Sequence, residues 1–312
     1  TMFGSPSWGR LLFAGLLPAG TSLAVVAAVQ LRLVRSVGNH GRSVLGTFDG
    51  PRHLAPLSDG GVMVVDGLNG RLQVLDAEGR AVRAFEGLQA PTGVAIDEPN
   101  GVLYVTESTG AHRLTRLRLA DGRRCGSTGG LGAGAGEMQD PQAVAIAGDQ
   151  LLVAEAENHR ISVFDMRLRF QRHIGQTLGA DGWPAQGSAP GQLDQPSDVA
   201  CSAGEVYVAD TWNHRVCVFT LESGSYLRSF GERGSAPGQF EYPTGIAIGE
   251  DGSVLVAERT GKRVQMLSLA GKPLQELHTP CDGWLCGVCA QASRVWLTGS
   301  QRHQVHLLTA AS

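Results

Sequence analysis

Five acid–arginine pairs recur along the chain at short spacing: Asp66 with Arg71, Glu107 with Arg113, Glu155 with Arg160, Asp210 with Arg215, and Glu258 with Arg263. Carboxylate and guanidinium that close together form charge-assisted, often bidentate, hydrogen bonds. Such a pair ties down a turn. It also resembles a fragment of an acid–base site, but catalysis needs one set of groups rather than five equal ones. The five are therefore expected to be structural and none of them catalytic. A second grouping, Cys281, Cys286 and Cys289 with His278 nearby, has spacing that invites a zinc reading. Cys286 and Cys289 would fall inside one strand, however, and Cys201, Cys217 and Cys289 sit where apolar residues stand in sister segments, so they read as small buried hydrophobes. No Ser/His/Asp constellation is evident, and GLGAGAG (131–136 with Gly130) lacks the following helix of a phosphate loop. The sequence thus implies no cofactor and no metal.

The elements that position these residues come from an internal repeat. Each copy starts at a Pro-x-x-[VI]-A-like segment, at Pro51, Pro91, Pro141, Pro196 and Pro243, with a sixth at Leu285. The spacing, 40 to 55 residues, suits a four-stranded propeller blade. A typical copy, 234–267, holds a Gly/Pro loop, an apolar run, a turn, a second apolar run, a polar tip and a third run. The runs alternate or are rich in β-branched residues, which makes them strands. GSAPGQ occurs twice, at 187–192 and 234–239. A fourth strand is visible at Ala81–Phe85, Phe170–Ile174 and Tyr226–Phe230. Copy six lacks one, while Leu33–Val37 (LVRSV) stands ahead of copy one and matches the YLRSF type. The expectation is an all-β, six-bladed propeller whose last blade is completed by an N-terminal strand, leaving no open edge.

The tips AENHRISVF (156–164) and DTWNHRVCVF (210–219), each with an upstream G-x-x-G-x-[FL]-x-x-P loop, resemble the NHL repeat. The resemblance covers about residues 31–308 and is fullest in copies three, four and five; NGRLQVL, GAHRLTRL and GSQRHQVHLL depart from it. It implies a six-bladed β-propeller like the NHL domain of tripartite-motif-like proteins. It also implies a protein-binding or scaffold role through loops, as the substrate-recognising part of a ubiquitin-ligase-like protein. RNA binding is a first alternative. A propeller enzyme of lyase or lactonase type with a central metal is a second. Related amidating lyases gather several histidines around zinc, whereas only His53, with Asp198, stands at the corresponding channel positions here, which argues against an enzyme.

Candidate contact residues are those at the channel (Arg52, His53, Gln142, Asp198) and on loops (Trp183, Trp212, Arg233, Arg259). Net charge is −3, so no general field draws DNA. A protein partner is favoured, RNA is the other possibility, and a membrane is reached only through residues 11–29. Residues 1–30 form a separate apolar segment, either a targeting or membrane-like stretch or the strand of a decayed repeat. Residues 309–312 form a short tail. The location expected for the propeller is the cytoplasm, or a membrane or secretory compartment if 1–30 is a targeting segment.

Overall fold

The computed structural model describes residues 31–279 and 283–310. The expectations for residues 1–30 and for Cys281 lie outside this range. The described chain is all-β apart from two single-turn 3₁₀ segments, Gly67–Asn69 and Thr211–Asn213. It forms six antiparallel four-stranded sheets. Five are simple meanders in sequence order. The sixth has the order Leu31–Val37, Gln304–Ala310, Arg294–Gly299, Leu285–Gln291, so the first strand is the outermost strand of the last blade. It runs antiparallel to Gln304–Ala310, with Ser36 opposite His306 and Val37 opposite Val305. Among the described residues, no helix is long and apolar enough to cross a membrane.

Why these segments are strands follows from their burial. The second and third strands of each blade are covered on both faces, as in Val62–Asp66 and Arg160–Asp165, so they read as nearly continuous apolar runs. The outermost strands have one wet face and look weaker in sequence. Two of them, Arg124–Gly129 and Pro273–His278, escaped the sequence reading. The first is Gly/Ser-rich and the second starts with Pro, and both are largely exposed. The Gly-rich stretch 121–140 thus contains a strand as well as interblade loop. The last strand likewise runs to Ala310, two residues into the expected tail.

The core is distributed over six seams between neighbouring blades. Leu152 and Ile161 of blade three pack with Val199, Val208 and Phe219 of blade four. Where the ring closes, Leu54, Val64 and Leu75 of blade one meet Trp296, Val305 and Leu307 of blade six, with Phe48 and Val37 against them. Apolar burial of this kind contributes about 1.5–3 kcal/mol per large side chain, so each blade is stable only between two others. His306 sits inside the closing blade and bonds Ser36 Oγ through Nδ1 at 2.9 Å. Burial pushes its pKa down to about 4, so the imidazole is a neutral spacer there at neutral pH.

Candidate functional site

Each hairpin tip is built by the same few side chains. The acid at the end of the second strand accepts the N–H of the loop leading into its blade: Asp49 N–H to Asp66, Gln89 to Glu107, Gln139 to Glu155, Asp194 to Asp210, and Glu241 to Glu258, at 2.7–3.2 Å. The arginine five or six residues on meets the acid at 2.8, 2.8, 3.3, 2.7 and 2.6 Å in the five blades. It also donates to loop carbonyls: Arg71 to Thr47, Arg160 to Ala133 and Glu137, Arg215 to Ser188 and Gln192, Arg263 to Gln239. Where an Asn is present it does the same, as Asn158 does to Gly132 and Asn213 to Gly187. Burial pushes the Glu107 carboxyl up, but Arg113, Thr115 and the Gln89 N–H outweigh it and hold that pKa below the ordinary value. The histidine of the tip has a different task. His112, His159, His214 and His303 adopt left-handed backbone, φ 45–54°. Each accepts, through Nδ1, an N–H just ahead of the next blade: Asp140, Gln195, Tyr242 and Gly50, at 3.0–3.2 Å. Asn and Arg thus fasten a tip to its own loop, and His fastens it to the neighbour. His303 does this across the closing seam, a role its divergent sequence context concealed.

The inner strands face a central channel. Each carries a register shift just after its first residue, between Pro91/Gly93, Pro141/Ala143, Pro196/Asp198 and Pro243/Gly245 for example. Such bulges re-aim side chains. Glycines at this register let neighbouring inner strands approach: a Cβ on Gly93 would stand 2.6 Å from Ala143 Cα. The register positions with real side chains are His53 and Asp198, on blades one and four, which lie opposite each other. His53 Nε2 stands 3.4 Å from Asp198 Oδ1 across the channel. His53 Nδ1 accepts Val94 N–H, and the two Asp198 oxygens accept Val199 and Ile246 N–H at 2.8 and 2.9 Å. Both groups are thereby committed to one another and to backbone, and they bridge the channel where they line a cavity.

That cavity, about 480 Å³, opens on the face bearing the hairpin tips. Six of the eight candidate contact residues line it: Arg52, His53, Gln142, Asp198, Trp212 and Arg259. Trp183 and Arg233 do not. Trp183 lies on the loop between Gly175 and Gln195, which is pinned by Gly179 N–H to Trp183 C=O, and Arg233 lies beside Phe240 in another connection. The structure adds Leu68, Trp284 and Gln301 to the rim. Leu68 and Trp212 occupy the same register, two residues past the paired acid, and that equivalence was the available signal. Their exposures are 68% and 50%, and Trp284 is 41% exposed. Trp212 is braced edge-on by Tyr242 at 5.7 Å, and Arg259 stacks 3.9 Å over Trp284. The apolar and cationic side chains therefore form an arc over blades four, five, six and one. The tips of blades two and three show Thr109 and Glu157 instead.

Cys201 is pushed by burial up to about 12, and burial raises Cys217 and Cys289 as well. These thiols are unsuited to act as nucleophiles or ligands at neutral pH. Among the described residues, His40, Asp49 and His303 bring potential ligand atoms within 4.8 Å. His303 Nδ1 already accepts Gly50 N–H, and Arg42 Nε lies 3.5 Å from Asp49, so the set reads as a charge cluster at the seam.

Comparison with known proteins gives a consistent picture. The family model described as NHL repeat matches residues 88–117, 138–164 and 193–219. These are copies two, three and four; copy five, ranked among the fullest from its loop, carries Thr260-Gly261-Lys262 in place of the Asn-His tip. The Protein brain tumor of Drosophila melanogaster is 27% identical over 152 residues, 47% of this chain and 13% of that protein. Among solved structures, the WD40 propeller domain of Doa1 superposes with TM-score 0.63 at 10% identity, covering 90% of this chain and 98% of that one. A virginiamycin B lyase from Staphylococcus aureus, an inactive variant with quinupristin, gives TM-score 0.59 at 16% identity, covering 84% and 80%. At these identities the two structures speak to the fold alone. Six four-stranded blades, three matched NHL repeats and tips fastened by Asn, His and Arg lead to one assignment: the chain is a six-bladed β-propeller that carries NHL repeats.

Proposed function

We propose that this propeller is a non-catalytic binding module that takes a protein partner at the mouth of its channel. The observation that carries the reading is the arc of exposed Leu68 with Trp212, Arg259 and Trp284, the last three braced by ring contacts, at the rim of a concave cavity with polar lining. Tryptophan and arginine are the residues that most often dominate binding energy at interfaces. The enzymatic alternative has two imidazoles and two carboxylates in the cavity lining, His53, His303, Asp140 and Asp198, and each already holds a hydrogen bond to backbone or hydroxyl. The finer reading, the substrate-recognising part of a ubiquitin-ligase-like protein, is supported by the family resemblance alone.

The test is comparative capture. Partner proteins retained by the wild-type chain are expected to be lost with Trp212→Ala plus Leu68→Ala, a drop of roughly tenfold or more in affinity. They are expected to be kept with Arg80→Ala on the opposite face, where Arg80 pairs only with half-buried Asp76 and exposed Glu78. Loss with the opposite-face variant alone would refute the reading.

A further inference from the structure

We propose that the mouth recognises an acidic segment of its protein partner, with Arg259 and Arg52 receiving carboxylates beside an apolar anchor seated at Trp212 and Leu68. This deepens the binding reading above and rests on it.

The first argument is register. The residue just past the paired acid is Gly67, Ser108, Ala156 and Thr211 in blades one to four, and Ser300 stands at this place in blade six. Blade five alone carries a long cation there, Arg259. The tip does not need it, because the position's backbone role, N–H to the carbonyl of Tyr242, is filled by Ser108, Ala156 and Ser300 in blades two, three and six, and in blades one and four the following residue, Leu68 or Trp212, makes the bond instead. The second argument is charge. Among the described residues, neither Arg259 nor Arg52 has a carboxylate within ion-pair distance. Arg52 has only Gln142 Oε1 at 3.4 Å. The acids of the same cavity are occupied: Asp198 by two backbone N–H groups and His53, and Asp140 by the Ser108 hydroxyl. The charged side chains of the cavity left with hydrogen-bonding capacity to spare are therefore the two arginines. The third argument is orientation. The Arg259 guanidinium carbon lies 3.9 Å over the Trp284 ring; a guanidinium that packs its plane on a ring keeps its in-plane N–H donors for a carboxylate, which that fork matches. Stacking also fixes the side chain beforehand, which lowers the entropy lost on binding.

A single-stranded RNA would demand a track of cations along successive phosphates. Two unpaired arginines next to a leucine and a tryptophan suit a short peptide better.

The experiment selects random dodecapeptides displayed on phage against the full chain at about 150 mM salt, where long-range attraction is screened. Affinities of the recovered peptides are then measured by fluorescence polarisation. Recovered sequences are expected to place Asp or Glu beside an aromatic or large aliphatic residue. Arg259→Gln is expected to weaken them by about tenfold and Arg52→Gln by several-fold, with melting unchanged. Replacing the peptide's acids by amides should cause the same loss, with little further loss on Arg259→Gln. Peptides without acidic enrichment, still lost with Trp212→Ala, would overturn the carboxylate proposal and leave the mouth as the binding site. Peptides indifferent to Trp212→Ala as well would overturn both. A dodecamer of oligouridylate bound more tightly than any peptide, and lost with Arg259→Gln, would also overturn it, in favour of RNA.

Discussion

Arg160→Ala is expected to be among the most damaging single substitutions in the ring. Its side chain and that of Glu155 are both fully buried. Arg160 donates to both Glu155 oxygens, at 3.3 and 3.4 Å, and to the carbonyls of Ala133 and Glu137, at 2.7 and 3.1 Å. Alanine would leave the buried Glu155 carboxylate without its countercharge, with only Gln139 N–H, Asn158 and Ser162 on it, and would take the donor from two carbonyls at once. Removing one partner of a buried pair costs about 3–5 kcal/mol. A domain of this size loses about 2–4 °C for each kcal/mol, so the melting temperature should fall on the order of 10 °C. The effect should be graded by exposure. The Arg215 side chain is 13% exposed and Arg113 is 28% exposed, and water would satisfy part of what their removal leaves. The expected order of loss is Arg160→Ala, then Arg215→Ala, then Arg113→Ala, read by thermal denaturation. An unchanged melt for Arg160→Ala, or a reversed order, would contradict the view that these pairs are staples.

Deleting the chain through Val37 should have a larger consequence still. The first strand makes six register pairs with Gln304–Ala310, and Val37 packs on the cluster that joins blades six and one. Ladder hydrogen bonds contribute about 0.5–1.5 kcal/mol each. With the apolar burial added, the loss approaches the whole stability of a typical domain. The deletion would also bare an edge carrying Val305 and Leu307, which invites pairing between molecules. The expected outcome is a chain that no longer unfolds in one cooperative step and elutes as concentration-dependent oligomers. A monomer with an undiminished melting temperature would show that closure does not depend on this strand.

How far the sequence reveals this molecule depends on how strongly each element departs from its neighbours. The inner and middle strands announce themselves, because burial on both faces demands unbroken apolar runs such as Val62–Asp66. The closing strand was legible because LVRSV repeats the YLRSF type. Arg124–Gly129 was hidden by glycine and serine, whose strand character comes only from pairing with Arg113–Arg118. The acid–arginine pairs were visible through repetition, and the histidine latch was not, since its acceptor bond spans two blades and requires left-handed backbone. At the mouth, Arg52, His53 and Asp198 follow from their place after each anchor. Trp284 does not, because it becomes meaningful only when Arg259 of the preceding blade lies over it.

The account stands on a wheel closed between its two ends, for the seam sets the geometry of the channel and its mouth. Ser36 and His306 lie opposite each other with side chains 2.9 Å apart, a pairing within disulfide reach. In a chain carrying Ser36→Cys and His306→Cys, mild oxidation of the folded monomer followed by peptide mapping should show one intramolecular disulfide joining positions 36 and 306. If both thiols remain reduced in folded protein, or are joined only between molecules, the ring is not closed in this way.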